Sequence, residues 1–187
     1  DIRTTVVKIT TENGARSMGR PQGNYITIES ESLSIADEGY HSEISSEISK
    51  HLKRLLNMEK EKSVLVVGLG NERITADSLG PGVISNLHMT RHLIKEYGLK
   101  KDGEDSLYEV SGIIPGVMAQ TGMETSEIIE GVVAMTKPDV VIAIDALAAR
   151  STRRLNRTIQ ITDTGINPGS GVGNHRIGLS RENLHVK

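Results

Sequence analysis

The rhythm of apolar and polar positions along this chain changes at about residue 63. Before that point, Thr4-Thr-Val-Val-Lys-Ile9 and Tyr25-Ile-Thr-Ile-Glu29 have strand-like composition. The polar stretch between them ends in the turn-rich Gly19-Arg-Pro-Gln-Gly-Asn24. The pattern predicts two strands of a hairpin or small sheet, within a β-rich N-terminal part over residues 1–35. From about 41 to 57, Ile44, Ile48, Leu52, Leu55 and Leu56 recur at helical spacing among Ser, Glu and Lys. That is the signature of an amphipathic helix covering a sheet.

From residue 63 the order becomes strand, loop, helix. Ser63-Val-Leu-Val-Val67 is a continuous apolar run, as in a strand covered on both faces. A loop from Gly68 to Asp77 follows, then a helix opening near Leu79-Gly-Pro81, where proline suits a first turn. Val83, Leu87 and Ile94 share one face of that helix, and Gly98 can end it. Leu107 to Ile113 reads as another strand. Thr121-Gly-Met-Glu124 has capping-box spacing before a helix through Ile128, Ile129, Val132 and Val133. Lys137-Pro138 breaks that helix, and Asp139-Val-Val-Ile-Ala-Ile144 contains a second buried strand. Thr158-Ile-Gln-Ile-Thr162 is a third strand, alternating and so nearer an edge. Strands separated by helices predict an α/β fold: a mainly parallel sheet with helices on both faces, in a single domain over residues 1–187. Ligands in such folds bind beyond the carboxyl ends of the strands. The Gly-rich stretch from Gly165 to Gly178 reads as a long loop of the kind that often carries function.

Composition narrows the chemistry. With 22 basic and 24 acidic side chains the net charge is -2, so no global field exists to hold DNA or an anionic membrane. Four Tyr with no Phe or Trp leave no stacking platform for single-stranded nucleic acid. The absence of Cys removes disulfides, zinc-thiolate sites and cysteine nucleophiles, and fits a reducing cytoplasm. No apolar stretch reaches the roughly 20 residues that span a bilayer, and the polar opening Asp1-Ile-Arg-Thr4 does not read as a signal peptide.

The carboxyl-end rule picks out Asp145, directly after the strand Val140 to Ile144, and Asp77, at the end of the loop that follows Val67. If those strands are neighbours, both carboxylates face one crevice. Two close carboxylates can share a proton, one serving as base on a water and the other as acid. The plainer reading makes Asp77 an N-cap of the helix at Leu79, and Asp145 a cap of Ala146 to Arg150. Asn71 either holds the turn or orients a catalytic carboxylate. Arg150, Arg153, Arg154 and Arg157 form a basic cluster, either a solvated face or a reader of acidic substrate. His88 and His92 sit one helical turn apart, but Met89 occupies the glutamate place of a His-Glu-x-x-His metal motif, so two exposed helix residues account for them. His175 and Ser170, in the Gly-rich loop, are weaker signals. Gly68-Leu-Gly-Asn-Glu-Arg73 lacks the third glycine of a dinucleotide fingerprint.

Several stretches together resemble the germination protease family of spore-forming bacteria: Val66-Val-Gly-Leu-Gly-Asn71, Thr75-Ala-Asp-Ser-Leu-Gly-Pro81, Pro115-Gly-Val-Met118, Gln120-Thr-Gly122 and Glu124-Thr125. The longest is Lys137-Pro-Asp-Val-Val-Ile-Ala-Ile-Asp-Ala-Leu-Ala-Ala-Arg150, and Gln160-Ile-Thr-Asp-Thr-Gly165 and Pro168-Gly-Ser-Gly-Val-Gly-Asn174 follow it. The resemblance implies an endopeptidase that degrades small acid-soluble spore proteins during germination, in the cytoplasm of the spore core. It implies an atypical aspartic peptidase, made as a zymogen, assembled as a homotetramer and needing no cofactor. The family's two aspartates fall on Asp77 and Asp145. Its fold is similar to that of hydrogenase maturation peptidases, where the equivalent carboxylates belong to a metal site. A metal-assisted peptidase and a non-catalytic fragment are therefore the competing readings. Family members continue past Lys187, so the chain is expected to be truncated at its C-terminus, and a start at Asp1 matches either zymogen processing or the first ordered residue.

Overall fold

The computed structural model describes residues 2–35, 38–57, 62–98, 107–149, 151–167, 178–184 and 186. In chain order the elements are β1 (Arg3–Ile9), α1 (Glu12–Met18), β2 (Gly23–Glu29), α2 (Glu38–Leu56), β3 (Val64–Gly68), α3 (Leu79–Asn86), α4 (Arg91–Tyr97), β4 (Val110–Ile113), α5 (Met118–Thr121), α6 (Thr125–Thr136), β5 (Val140–Ile144), β6 (Thr158–Thr162) and α7 (Arg181–Leu184). They fall into two compact units: Asp1–Asn57 with Ala148–Thr164, and Met58–Leu147 with Gly165–Lys187. The chain is thus α/β, with one antiparallel and one parallel sheet.

The first unit is built on the antiparallel sheet β1-β2-β6. Register places Thr4 opposite Ile28, Val6 opposite Ile26, and Ile159 and Ile161 opposite the same two isoleucines. These residues share one face, and α2 lies over it: the Thr4 hydroxyl donates to Glu47 Oε1 at 3.2 Å. Ile26, Ile28 and Ile44 are buried there. So is His51, 5% exposed, its Nε2 2.9 Å from Glu47 Oε1. The polar stretch between the strands holds the helix α1, which the sequence pattern missed. Thr11 caps it by accepting from the Gly14 amide, and Gly19 ends it in the left-handed region at φ 60. The strand expected from Thr158 to Thr162 is present, but in this sheet rather than the parallel one. Its strict alternation suits a sheet covered on one face, which is an antiparallel arrangement.

The second unit carries the parallel sheet, ordered β4-β3-β5. All five residues of the central β3 are buried. Leu65, Val67 and Leu69 pack with Ile129 and Val133 of α6 and with Leu179 and Leu184. On the opposite face, a Cβ on Gly68 would press on Gly80 and Ile84 of α3, so that helix covers the other side. β5 is less buried than its apolar sequence suggests: only Val140 is fully enclosed, and among the described residues the strand has one neighbour, β3.

Where one helix was expected from Leu79 to Gly98, the chain makes α3 and α4 with an extended break at Leu87. Tertiary contacts override the helical period. Thr90 leaves the helix to bond both sides of the β4 entry, donating to the Tyr108 carbonyl and accepting from the Val110 amide at 2.9 Å. Met89 covers Gly112, where a Cβ would collide with its methyl. His88 therefore lies in the break, exposed, and is not on a helical face with His92. The capping interaction of α6 also sits three residues later than its sequence spacing suggested: Glu127 reaches back to the Glu124 amide at 2.8 Å. Thr121 instead holds the turn at Met123, donating to its carbonyl at 3.1 Å.

Candidate active site

β3 and β5 are neighbours, paired in parallel from Val64↔Val140 to Gly68↔Ile144. The ladder runs one step further, with the Leu69 amide donating to the Ile144 carbonyl at 2.8 Å. Asp145 is the next residue of that strand. Beyond Leu69 comes Gly70, held at φ 113 directly against the loop carrying Asp77. A Cβ on Gly70 would stand 3.1 Å from the Asp77 carboxyl carbon. Asp77 and Asp145 thus border one stretch of backbone, Gly70-Leu69-Ile144, at the carboxyl edge of the sheet, and both are half-buried.

Neither aspartate caps a helix. Asp77 closes a 3₁₀ turn over Thr75–Asp77, and its Oδ2 accepts from the Asn71 amide at 2.8 Å. The N-cap of α3 is Ser78, and no side chain caps that helix. Asp145 accepts from the Ala146 amide at 2.9 Å, and the described residues after it, 146–149, form no helix. The carboxylates are therefore held by the loops rather than spent on helix ends.

Asn71 touches Asp77 through its backbone, not its side chain. Its Oδ1 accepts from the Arg73 amide at 3.0 Å and from Gln120 Nε2 at 3.2 Å. Gln120 belongs to α5, in the loop beyond β4, so all three strands send a loop to this edge. Sequence reasoning did not single out Gln120, nor Gly70 and Gly80. A glycine at a strand end signals close backbone approach, and that signal was present in Gly68-Leu-Gly70.

The arginines divide differently. Arg153 and Arg154 belong to the first unit and the two aspartates to the second. Arg154 pairs with Glu29 at 3.2 Å, and Arg157 lies 3.7 Å from Glu31. Arg153 is exposed. Arg150, Ser170 and His175 lie outside the described residues. Among the described residues no three His, Asp or Glu side chains form a group able to hold a metal ion. No helix among the described residues is long and apolar enough to cross a membrane.

A parallel sheet with two aspartates beside its carboxyl edge defines an α/β protein with a candidate acid–base site. All of residues 1–187 match the family model described as germination protease. The germination protease of Caldanaerobacter subterraneus subsp. tengcongensis is 49% identical over 99% of this chain and 56% of its own length. That of Clostridium perfringens is 45% identical over 100% of this chain and 57% of its own length. That of a Geobacillus species is 50% identical over 94% and 48% respectively. This chain belongs to the germination protease family. It spans about half the length of the curated relatives it matches.

Proposed function

We propose that this protein is an endopeptidase that cleaves small acid-soluble spore proteins during spore germination, with Asp77 and Asp145 as its acid–base pair. The observation that carries this reading is the placement of both carboxylates on one backbone edge, neither of them capping a helix. One carboxylate, ionised, takes a proton from a water molecule as its oxygen attacks the scissile carbonyl carbon. The other, protonated, hydrogen-bonds the carbonyl oxygen and then gives its proton to the departing amine. Such proton transfers each contribute roughly 10²–10⁴ in rate. The Asn71 amide holds Asp77 Oδ2 at 2.8 Å. Asn71 thereby orients Asp77, with Gln120 bonded to the Asn71 side chain.

Assignment to the germination protease family supports the substrate class, a zymogen form, a homotetramer and work in the cytoplasm of the spore core, all part of the same proposal. Arg150, Arg153 and Arg154 are the groups offered to acidic residues of the substrate, Arg154 by exchanging its Glu29 partner. The test replaces Asp77 with Asn and follows cleavage of an acid-soluble spore protein. Loss of cleavage with the fold intact is the expected result. Undiminished cleavage sinks the acid–base pair, and abolition of the parent's activity by chelators replaces it with a metal-assisted peptidase.

A further inference from the structure

We infer that Gly80, seated on Gly68, is a positioning residue that sets the separation of the Asp77 and Asp145 carboxylates; this rests on the acid–base reading above. A Cβ on Gly80 would stand 2.5 Å from the Leu69 amide nitrogen and 2.6 Å from the Ile144 carbonyl oxygen, with the Leu69 carbonyl oxygen closer still. All three are backbone atoms, and the first two are already bonded to each other across the sheet at 2.8 Å. From the strand side, a Cβ on Gly68 would meet the Gly80 carbonyl group and stand 2.6 Å from Ile84 Cγ1. A side-chain tip can rotate away from such a collision. Ladder backbone cannot, so the only relief is a shift of the start of α3 as a body.

That shift has one direct consequence. Asp77 lies three residues before Gly80, tied to it through the turn at Ser78, whose carbonyl accepts from the Gly82 amide at 2.9 Å. Asp145 follows Ile144, the residue that Gly80 presses on. Lifting α3 off the sheet edge therefore moves one carboxylate away from the other. The need is local, since a Cβ on Gly82, two residues along the same helix, would meet nothing within 4 Å. Glycine inside a helix costs about 0.5–1 kcal/mol relative to alanine, and at position 80, unlike position 82, the backbone contact leaves no room for a Cβ.

Separation matters chemically in two ways. A misplacement of about 1 Å can cost on the order of 10² in rate. Two carboxylates also titrate as a coupled pair, and the split between their apparent pKa values shrinks as they move apart.

The experiment compares Gly80→Ala, Gly68→Ala and Gly82→Ala in the protein, reading kcat and KM for an acid-soluble spore protein across pH. Gly80→Ala and Gly68→Ala are expected to lower kcat by about 10²-fold with KM little changed, and to draw the two limbs of the kcat–pH profile together. Gly82→Ala should keep the parent's kcat and profile. A folded Gly80→Ala with parental kcat overturns the inference, as does a lowered kcat with unmoved limbs, which would mark a merely structural glycine. If neither variant folds, carbon-13 titration of the Asp77 carboxyl decides, in the parent and in Asp145→Asn. A changed titration upholds the close spacing, and an unchanged one overturns it. Undiminished cleavage by Asp77→Asn removes the acid–base reading itself, a result that the glycine variants cannot mimic.

Discussion

In the parallel sheet every residue of β3 is buried, whereas in the antiparallel sheet β1 buries only Ile9. The two units thus place their polar groups differently. β3 is covered on both faces, so polarity is driven to the strand ends, where the Gly70–Asp77 loop and Asp145 gather at one edge. The first unit carries polar groups along both faces of its sheet: Thr4, Glu47 and His51 on the face beneath α2, and Thr27 and Gln160 on the other, which buries Ile9 beside α1. Concentration at an edge favours a reactive site, because convergent groups raise one another's reactivity. Dispersion along a face favours a support.

The largest effect expected from this contrast is catalytic. Asp145→Asn should lower the turnover of spore-protein cleavage by roughly 10²–10⁴-fold while the protein still unfolds cooperatively in urea. A turnover assay paired with urea denaturation checks both. A large loss of stability would make Asp145 a structural residue and break the comparison.

The next effect is on packing. Ile129→Ala, in the fully buried core of the second unit, should cost about 2–5 kcal/mol in urea denaturation. Val7→Ala, at a 38% exposed residue of β1, should cost about 0.5 kcal/mol or less. Comparable costs would mean that Val7 is covered in solution.

Acid should act selectively on the first unit. Hydrogen bonding to His51, above all, holds the Glu47 carboxyl below its ordinary value of 4.5. Its folded value is the lower one, so its contribution is complete above about pH 4.5 and fades as pH falls through the folded value. Melting temperatures of the parent and of Glu47→Gln should therefore differ at neutral pH and converge in acid. A gap that widens below pH 4.5 would reverse the sign and contradict the contact. The smallest effect is Arg154→Ala, whose exposed pair with Glu29 is worth roughly 0–1 kcal/mol and should weaken further in salt.

The elements whose periodicity was set by burial were legible in the sequence: β3 as a continuous apolar run, α2 and α6 as amphipathic helices, β1 and β2 as a pair. Their neighbours were not. Thr158–Thr162 announces a strand, but its alternation does not say which sheet it joins. The break between α3 and α4 depends on Thr90 reaching Tyr108 and Val110, about twenty residues on, and nothing in the local pattern encodes that. His51 interrupts no helical period yet lies on the buried face, where Glu47 one turn earlier meets its Nε2 and its Nδ1 has no hydrogen-bond partner. At the site, Asp77 and Asp145 stood out by their position after strands. Their release from capping did not, since an aspartate before a helix carries the same local signature whether it bonds forward to the helix or back to Asn71.

The central claim is that Asp77 and Asp145 work as one unit, and a double-mutant comparison tests it most directly. Turnover of an acid-soluble spore protein would be measured for Asp77→Asn, Asp145→Asn and the double variant, each confirmed as folded. Residues that act together give grossly non-additive losses, so the double variant should lose no more than the worse single variant. Losses that multiply, or a single variant that cleaves like the parent, would contradict the account.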